Sequence, residues 1–367
     1  MKRIATFCSL LFSTLQLFAQ LDLPASGGNT RAKITEEVGI TDITIAYSRP
    51  DVNKREGKIW GELITYGYTS DNFNTGKNNS PWRAGANENT TISFEHDVKV
   101  EGKNIKAGTY ALFMAVWPDS AQLIFSTQTN AWGSFYYDEK YDVLRVSVKP
   151  VVLDKSVEWL KYEFIEQKEK YCVVAMQWEK LSVPFKIEVD VDNLVTARLR
   201  EELTSRKSFT PALVLQATQY WFNKNMNLDE ALIWSRKAIE GQGGQKTFIT
   251  LRNLATAYEK LNRIPEADSA MTEALLIATA NQYTAYGRQL IAQKRVDKAL
   301  EVLIASLKRY GDMFGVNNGL KSGYSAKGDF KNALKYAAKA LAQTSNDTAK
   351  KTLEGQISKL KESKDIN

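Results

Sequence analysis

The stretch Trp82 to Asn89, WRAGANEN, gathers side chains able to do chemistry on one short approach to a strand. Arg83 offers a planar fork of donors suited to carboxylate or phosphate, Asn87 offers a donor and an acceptor, and Glu88 either holds Arg83 or meets a ligand. Gly85 permits a tight backbone between them. Two arrangements follow from these residue types. In one, an internal Arg83–Glu88 pair pins the loop with Trp82 in the core; in the other, the same groups face a ligand. A second set is aromatic: Trp117, Trp132, Phe135, Tyr136 and Tyr137 form either a sugar-stacking platform or a core and its edge. The candidate ligand-binding residues are therefore Trp82, Arg83, Asn87, Glu88, Trp132 and Tyr137.

Other chemistries are narrowed by what the chain lacks. His96 is the single histidine, which rules out a His-rich metal site and obliges any Ser-His-Asp triad to use it, and no Gly-x-Ser-x-Gly elbow supplies the nucleophile. Cys172 lies in the apolar run KYCVVAMQW and reads as inert packing. NTGKNN lacks the glycine spacing and hydroxyl residue of a phosphate loop. No cofactor or metal is called for. Paired carboxylates for glycoside hydrolysis need only a separation in space that a sequence does not display, so a hydrolase using carboxylates in the first half stands as the alternative to a non-catalytic protein.

The elements that must position these residues change character midway. From about Ile34 to Val191 short strands alternate, as in DITIAYSRP (Ile43, Ile45, Tyr47) and TTISFEHDVKV (Ile92, Phe94, then Val98, Val100), separated by the turn signals VEGKNIKAGT, WPDSA and VKPVV. Many strands with little room for crossover helices predict an antiparallel β-sandwich. After VDNLVTARLREEL the period is helical and a repeat emerges: Ala231, Ala267, Ala299 and Ala333 recur at spacings of 36, 32 and 34. Each is followed seven positions later by a small residue (Ala238, Ala274, Ser306, Ala340) and preceded by nine by a bulky one (Phe222, Tyr258, Leu290, Tyr324). The pattern resembles the tetratricopeptide repeat, best in the unit with Leu251, Leu254, Ala255, Tyr258, Ala267 and Ala274. It implies an α-helical solenoid, opened by Thr210 as N-cap with Pro211 in the first turn and closed by a polar helix over 346 to 363. Such a solenoid is expected to hold a protein or peptide partner.

Charge divides the chain in the same place. Residues 4 to 200 carry a net −3 and residues 201 to 367 a net +8. The basic residues of the second half are spread along helices among many acids, so nucleic acid is not expected as a partner. At the start, Lys2 and Arg3 precede an uncharged apolar run ending in LFAQ, the pattern of a cleaved secretory signal over residues 1 to 19. The expected organisation is a signal peptide (1 to 19), a sandwich domain (20 to 196) and helical repeats with a capping helix (205 to 367), periplasmic or secreted, with no transmembrane segment in the mature chain.

Linked motifs over residues 30 to 190 carry a family likeness: Ser48-Arg49-Pro50, the Trp82 to Glu88 run, Ala107-Gly108-Thr109-Tyr110 and Trp132-Gly133. They resemble the bacterial family known as domain of unknown function 2911. One departure is the insertion YTSDNFNTGKNNSP (68 to 81), where the family usually passes almost directly from tyrosine-glycine to tryptophan. The family name implies no activity. The expected function is an exported non-catalytic binding or scaffold protein, with the sandwich serving a small or glycan-like ligand.

Overall fold

A computed structural model describes residues 28 to 69 and 79 to 367. The expected signal segment and the centre of the 68 to 81 insertion lie outside the described residues. The chain divides between Ala197 and Arg198 into two compact units.

The first unit is the antiparallel sandwich that the alternation predicts. Its strands are β1 (Thr30–Val38), β2 (Thr41–Arg49), β3 (Thr91–Phe94), β4 (Val98–Val100), β5 (Lys103–Ile105), β6 (Gly108–Val116), β7 (Ala121–Ser126), β8 (Asp142–Val148), β9 (Val151–Lys168) and β10 (Tyr171–Val189). One sheet runs β1-β2-β3-β6-β7-β8 and the other β5-β4-β10-β9. Every second residue of β2, β3 and β4 turns inward: Ile43, Ile45, Tyr47, Ile92, Phe94, Val98 and Val100 share one buried core with Trp178, Phe185 and Ile187 of β10. Two details depart from the expectation. The segment VEGKNIKAGT is more than a turn, since Lys103–Ile105 pairs with β4 as a short hairpin strand. The apolar run KYCVVAMQW opens a single strand that continues to Val189. β10 pairs with β9 as far as Ser182 and with β4 from Ile187, so Pro184 falls between the two ladders, where its missing N–H removes no bond. A bulge at Glu179, with φ of 51°, absorbs the bend.

The stretch after β2 ties the two sheets together. Leu160 N–H donates to the Pro50 carbonyl at 2.9 Å and Val52 N–H to that of Glu158 at 2.8 Å, while Arg49 Nε reaches the Leu160 carbonyl at 2.9 Å. Ser48-Arg49-Pro50 thereby marks the crossing from one sheet to the other.

Helix α1 (Val191–Thr204) follows β10. The second unit then builds four antiparallel hairpins: α2 (Pro211–Lys224) with α3 (Leu228–Glu240), α4 (Phe248–Lys260) with α5 (Ile264–Ile277), α6 (Ala280–Ala292) with α7 (Val296–Tyr310), and α8 (Phe314–Lys327) with α9 (Phe330–Ala342). The aligned residues sit where helices press together: Ala231, Ala267, Ala299 and Ala333, then Ala238, Ala274, Ser306 and Ala340, are all buried. Phe222, Tyr258 and Leu290 are buried too, and Tyr324 is half-buried. α10 (Asp347–Lys361) closes the array with Leu353 and Leu360 inward. The unit is a tetratricopeptide-like solenoid. Its opening differs from the expectation: Thr210 occupies the N-cap position, but its hydroxyl donates to the Lys207 carbonyl at 2.9 Å and caps nothing. A short 3-10 turn at Arg206–Phe209 competes for that hydroxyl.

Candidate functional site

The loop from Trp82 to Thr90 hangs between β6 and the crossing after β2. Its start is fixed by paired backbone bonds between Trp82 and Met114, at 2.9 and 2.8 Å. Trp82 stacks on Trp178 with centroids 6.0 Å apart and meets Trp60 edge-on at 5.6 Å, so its ring is half in the core. Its indole N–H donates to the Gly85 carbonyl at 3.1 Å, which folds the loop back at once. Ala84 and Asn87 then take left-handed backbone, with φ of 53° and 56°. For Ala84 that conformation carries a Cβ penalty. It is held there because its carbonyl accepts from both Thr90 Oγ1 (3.0 Å) and Tyr162 Oη (2.8 Å). Gly85 is obligatory on space, since a Cβ would come within 2.6 Å of Thr90 Oγ1 and 3.1 Å of the Ser48 carbonyl.

The loop has two chemically different sides. On one, Arg83 Nη1 donates to the Asn87 carbonyl at 2.6 Å and its guanidinium lies over the Phe135 ring, 5.0 Å from the centroid. The guanidinium also covers Gly133, where a Cβ would fall 2.1 Å from Cζ; Gly133 moreover has φ of 59°. Trp132-Gly133 and Trp82-Arg83 are therefore one assembly, the glycine making room for the arginine. Removal from water lowers the Arg83 pKa. Among the described residues no carboxylate pairs with it. It faces a cleft of about 320 Å³ bounded by Pro50, Ile64, Trp82, Ser134, Phe135 and Trp178. The indole N–H of Trp178 is buried without an acceptor among the described residues. This side is rich in donors.

On the other side Glu88 accepts from Ser48 Oγ at 3.1 Å. It lines a second depression, of about 440 Å³, with Arg31, Asn89, Thr91, Thr109 and Trp132. Asn89 is 7% exposed; its Nδ2 donates to the Gln128 carbonyl at 3.0 Å and its Oδ1 is buried without a partner among the described residues. This side sets a carboxylate among the Arg31 guanidinium and threonine hydroxyls.

The expected Arg83–Glu88 pair is thus not formed. The left-handed backbone at Ala84 and Asn87 bends the loop between them, and the two side chains line different hollows. Asn87 stays with Arg83 by its backbone and lines the same cleft, and its Oδ1 accepts from Asn29 Nδ2 at 3.3 Å. Trp132 is 47% exposed and stands beside Glu88. Tyr137 departs from the aromatic platform: it is 1% exposed, packs edge-on against Phe113 and donates to Asp142 Oδ2 at 2.6 Å, with Arg145 donating to both. Burial pushes its hydroxyl well above the usual phenol range, and its role is structural. Among the described residues no two carboxylates line either depression, so those residues do not assemble there the pair that glycoside hydrolysis requires. A larger hollow of about 690 Å³ on the four-stranded sheet is lined, among the described residues, by three carboxylates: Asp97 accepts from Lys106 at 2.7 Å and from the Ala107 N–H, Glu188 from Lys186 at 2.8 Å, and Asp190 from Asn193 Nδ2 at 2.7 Å. Cys172 is fully buried and its thiol is pushed up to about 12, in keeping with inert packing. His96 contacts Thr41 Oγ1 at 3.1 Å on the strand margin. Asn89 and Trp178 escape a motif reading because their value lies in an atom left unpaired by the fold, which residue type does not announce.

The helical unit has one unusual group. At the position twelve residues before each aligned alanine, the repeats carry Gln219, Ala255, Gly287 and Lys321. Gly287 is small because Leu303 lies 2.6 Å from where its Cβ would be. Lys321 is 3% exposed, donates to Asn318 Oδ1 (2.7 Å) and Gln356 Oε1 (2.5 Å), and burial together with the charge of Arg288 brings it down to about 8.

The helical region is similar to a tetratricopeptide repeat protein from Parabacteroides merdae (16% identity, 47% of this chain and 68% of that one, TM-score 0.32). It is also similar to MamA AMB-1 (16%, 42% and 85%, 0.27) and to a chain of the APC/C hetero-tetramer Cut9-Hcn1 (18%, 47% and 33%, 0.31), of whose length this chain spans about a third. At these scores the repeat assignment rests on this chain's own hairpins. No curated protein matches the chain. Residues 29–187, most of the first unit, match the family model described as "Protein of unknown function (DUF2911)".

Proposed function

We propose that this is an exported, non-catalytic binding protein in which the helical repeats hold a protein or peptide partner and the sandwich takes a small acidic ligand at Arg83. The carrying observation is the state of Arg83, a guanidinium drawn out of water, backed by an aromatic ring and a glycine, and facing a cleft with no carboxylate among the described residues to neutralise it. A cation so placed favours an anion that brings its own charge, and a planar fork favours carboxylate or phosphate. The tryptophans that line the cleft supply apolar contact of the kind small-molecule sites use. The helical array supports the scaffold half of the reading, since stacked hairpins build extended surfaces for recognition. Export rests on the residues at the start of the chain.

The test is calorimetric titration of the full chain with a panel of small carboxylates and phosphate esters, repeated on Arg83→Lys. The expected result is binding by the wild type and a loss of about tenfold or more in the variant, whose single ammonium lacks the fork. Equal affinity in both proteins would remove Arg83 from the site. N-terminal sequencing of protein recovered outside the cytoplasm should start at or near Gln20.

A further inference from the structure

The Glu88 side of the loop asks for a different ligand. We infer that the depression formed by Glu88, Asn89 and Trp132 is a second site, which takes the ring of a neutral polyhydroxylated molecule such as a sugar. Three features narrow the class. Glu88 has Ser48 Oγ as a donor and retains acceptor capacity, and Asn89 Oδ1 is a buried acceptor with no partner among the described residues. The hollow of about 440 Å³ sets the Glu88 carboxylate among the Arg31 guanidinium and the Ser48, Thr91 and Thr109 hydroxyls, a mixed lining that a ligand's hydroxyl groups match because each both donates and accepts. Trp132, 47% exposed on the rim, offers a flat apolar face to a ring's C–H side.

Charge decides between the remaining alternatives. An anion would be set against Glu88. An organic cation would suit Glu88 and the tryptophan face but would be set against Arg31, which lines the same depression. A neutral polyol can donate to the carboxylate and accept from the guanidinium, and the Thr91 and Thr109 hydroxyls on the lining serve in either sense. Among the described residues the two hollows have no lining residue in common, although Arg83 and Trp132 are joined through Gly133.

The experiment is saturation-transfer NMR on the full chain with cellobiose, maltotriose and chitotriose at millimolar concentration, with choline as the cationic control, on the wild type, Trp132→Ala and Glu88→Gln, each also with excess inorganic phosphate to occupy the Arg83 cleft. Transfer from protein to at least one sugar is expected. It should be abolished in Trp132→Ala, weakened by about tenfold in Glu88→Gln as a charge-assisted bond is lost, and unchanged by the phosphate. Since Trp132 is half in solvent, its truncation should leave the thermal midpoint in place, so loss of transfer there reports the site and not the fold. The inference is overturned if no sugar receives transfer from the wild type, if Trp132→Ala binds as well as the wild type, or if choline binds in preference to every sugar. Displacement of every sugar by phosphate would also overturn it, since one site, the cleft, would then account for all binding.

Discussion

The two units put their important contacts at very different distances along the chain. In the helical unit Asn253 donates to Ser235 Oγ, 18 residues away, and Thr218 Oγ1 meets Asn253 Oδ1 across 35, about one repeat. In the sandwich Ser48 reaches Glu88 across 40 residues, Tyr162 reaches Ala84 across 78 and Arg49 reaches Leu160 across 111. A solenoid is stabilised by nearest neighbours, so a lesion in one hairpin remains partly local. A sandwich site is over-determined from several strands at once, so a lesion in one loop is felt through the others.

The strongest test of that contrast is Gly133→Ala. Both the positive φ and the Arg83 guanidinium oppose the added methyl, and the sandwich should lose about 2–4 kcal/mol. Chemical denaturation followed by tryptophan fluorescence reads the change. A midpoint shift near zero would mean that Arg83 can leave its place over residue 133 without cost, and would break the link between the two motifs.

In the helical unit the matching lesion is Ala299→Leu, which overfills a fully buried contact between α6 and α7. An expected cost of about 1–3 kcal/mol should appear in far-ultraviolet circular dichroism as an earlier helical melt, with the sandwich transition unmoved. Coupled shifts of both transitions would show that the units do not unfold separately.

Lys321 sharpens the comparison through pH. Its pKa in the folded chain is about 8, below that of a free lysine, so the unfolded chain binds the proton more tightly. Stability of the helical unit should be lowest below the folded pKa and rise as pH climbs through it towards the unfolded value, by about 1–3 kcal/mol in all. Lys321→Met should abolish that rise. A profile that is flat for the wild type, or unchanged in the variant, refutes the assignment.

Two smaller effects set the lower end. Arg83→Lys should change sandwich stability by about 1 kcal/mol or less, because the partners lost are one backbone carbonyl and a ring face and no carboxylate is stranded. Thr210→Ala should fall within about 0.5 kcal/mol, as its hydroxyl caps no helix, whereas Thr247→Ala removes a capping box at the start of α4 and should cost about 1 kcal/mol. Equal losses in the two thermal melts would contradict the difference in their geometry.

Much of this molecule could be read before any coordinates. Alternation at Ile43, Ile45 and Tyr47 and the recurrence of Ala231, Ala267, Ala299 and Ala333 are periodic signals, and period is what strands and stacked hairpins impose on burial. Gly85 could be read as a tight-turn residue on the same local ground. The partners of Arg83 and Glu88 could not. Five residues apart in a polar loop, they look like a pair, yet left-handed backbone at Ala84 and Asn87 bends the loop between them so that they line different hollows, and that backbone is held by Thr90 and by Tyr162 from a distant strand. Tyr137 looked like its neighbour Trp132 and is buried against Phe113 instead. Composition and spacing determined the elements, because those depend on near neighbours in the chain. Which side chain faces which hollow, and which buried donor or acceptor is left unpaired, was decided when strands remote in sequence closed around the loop.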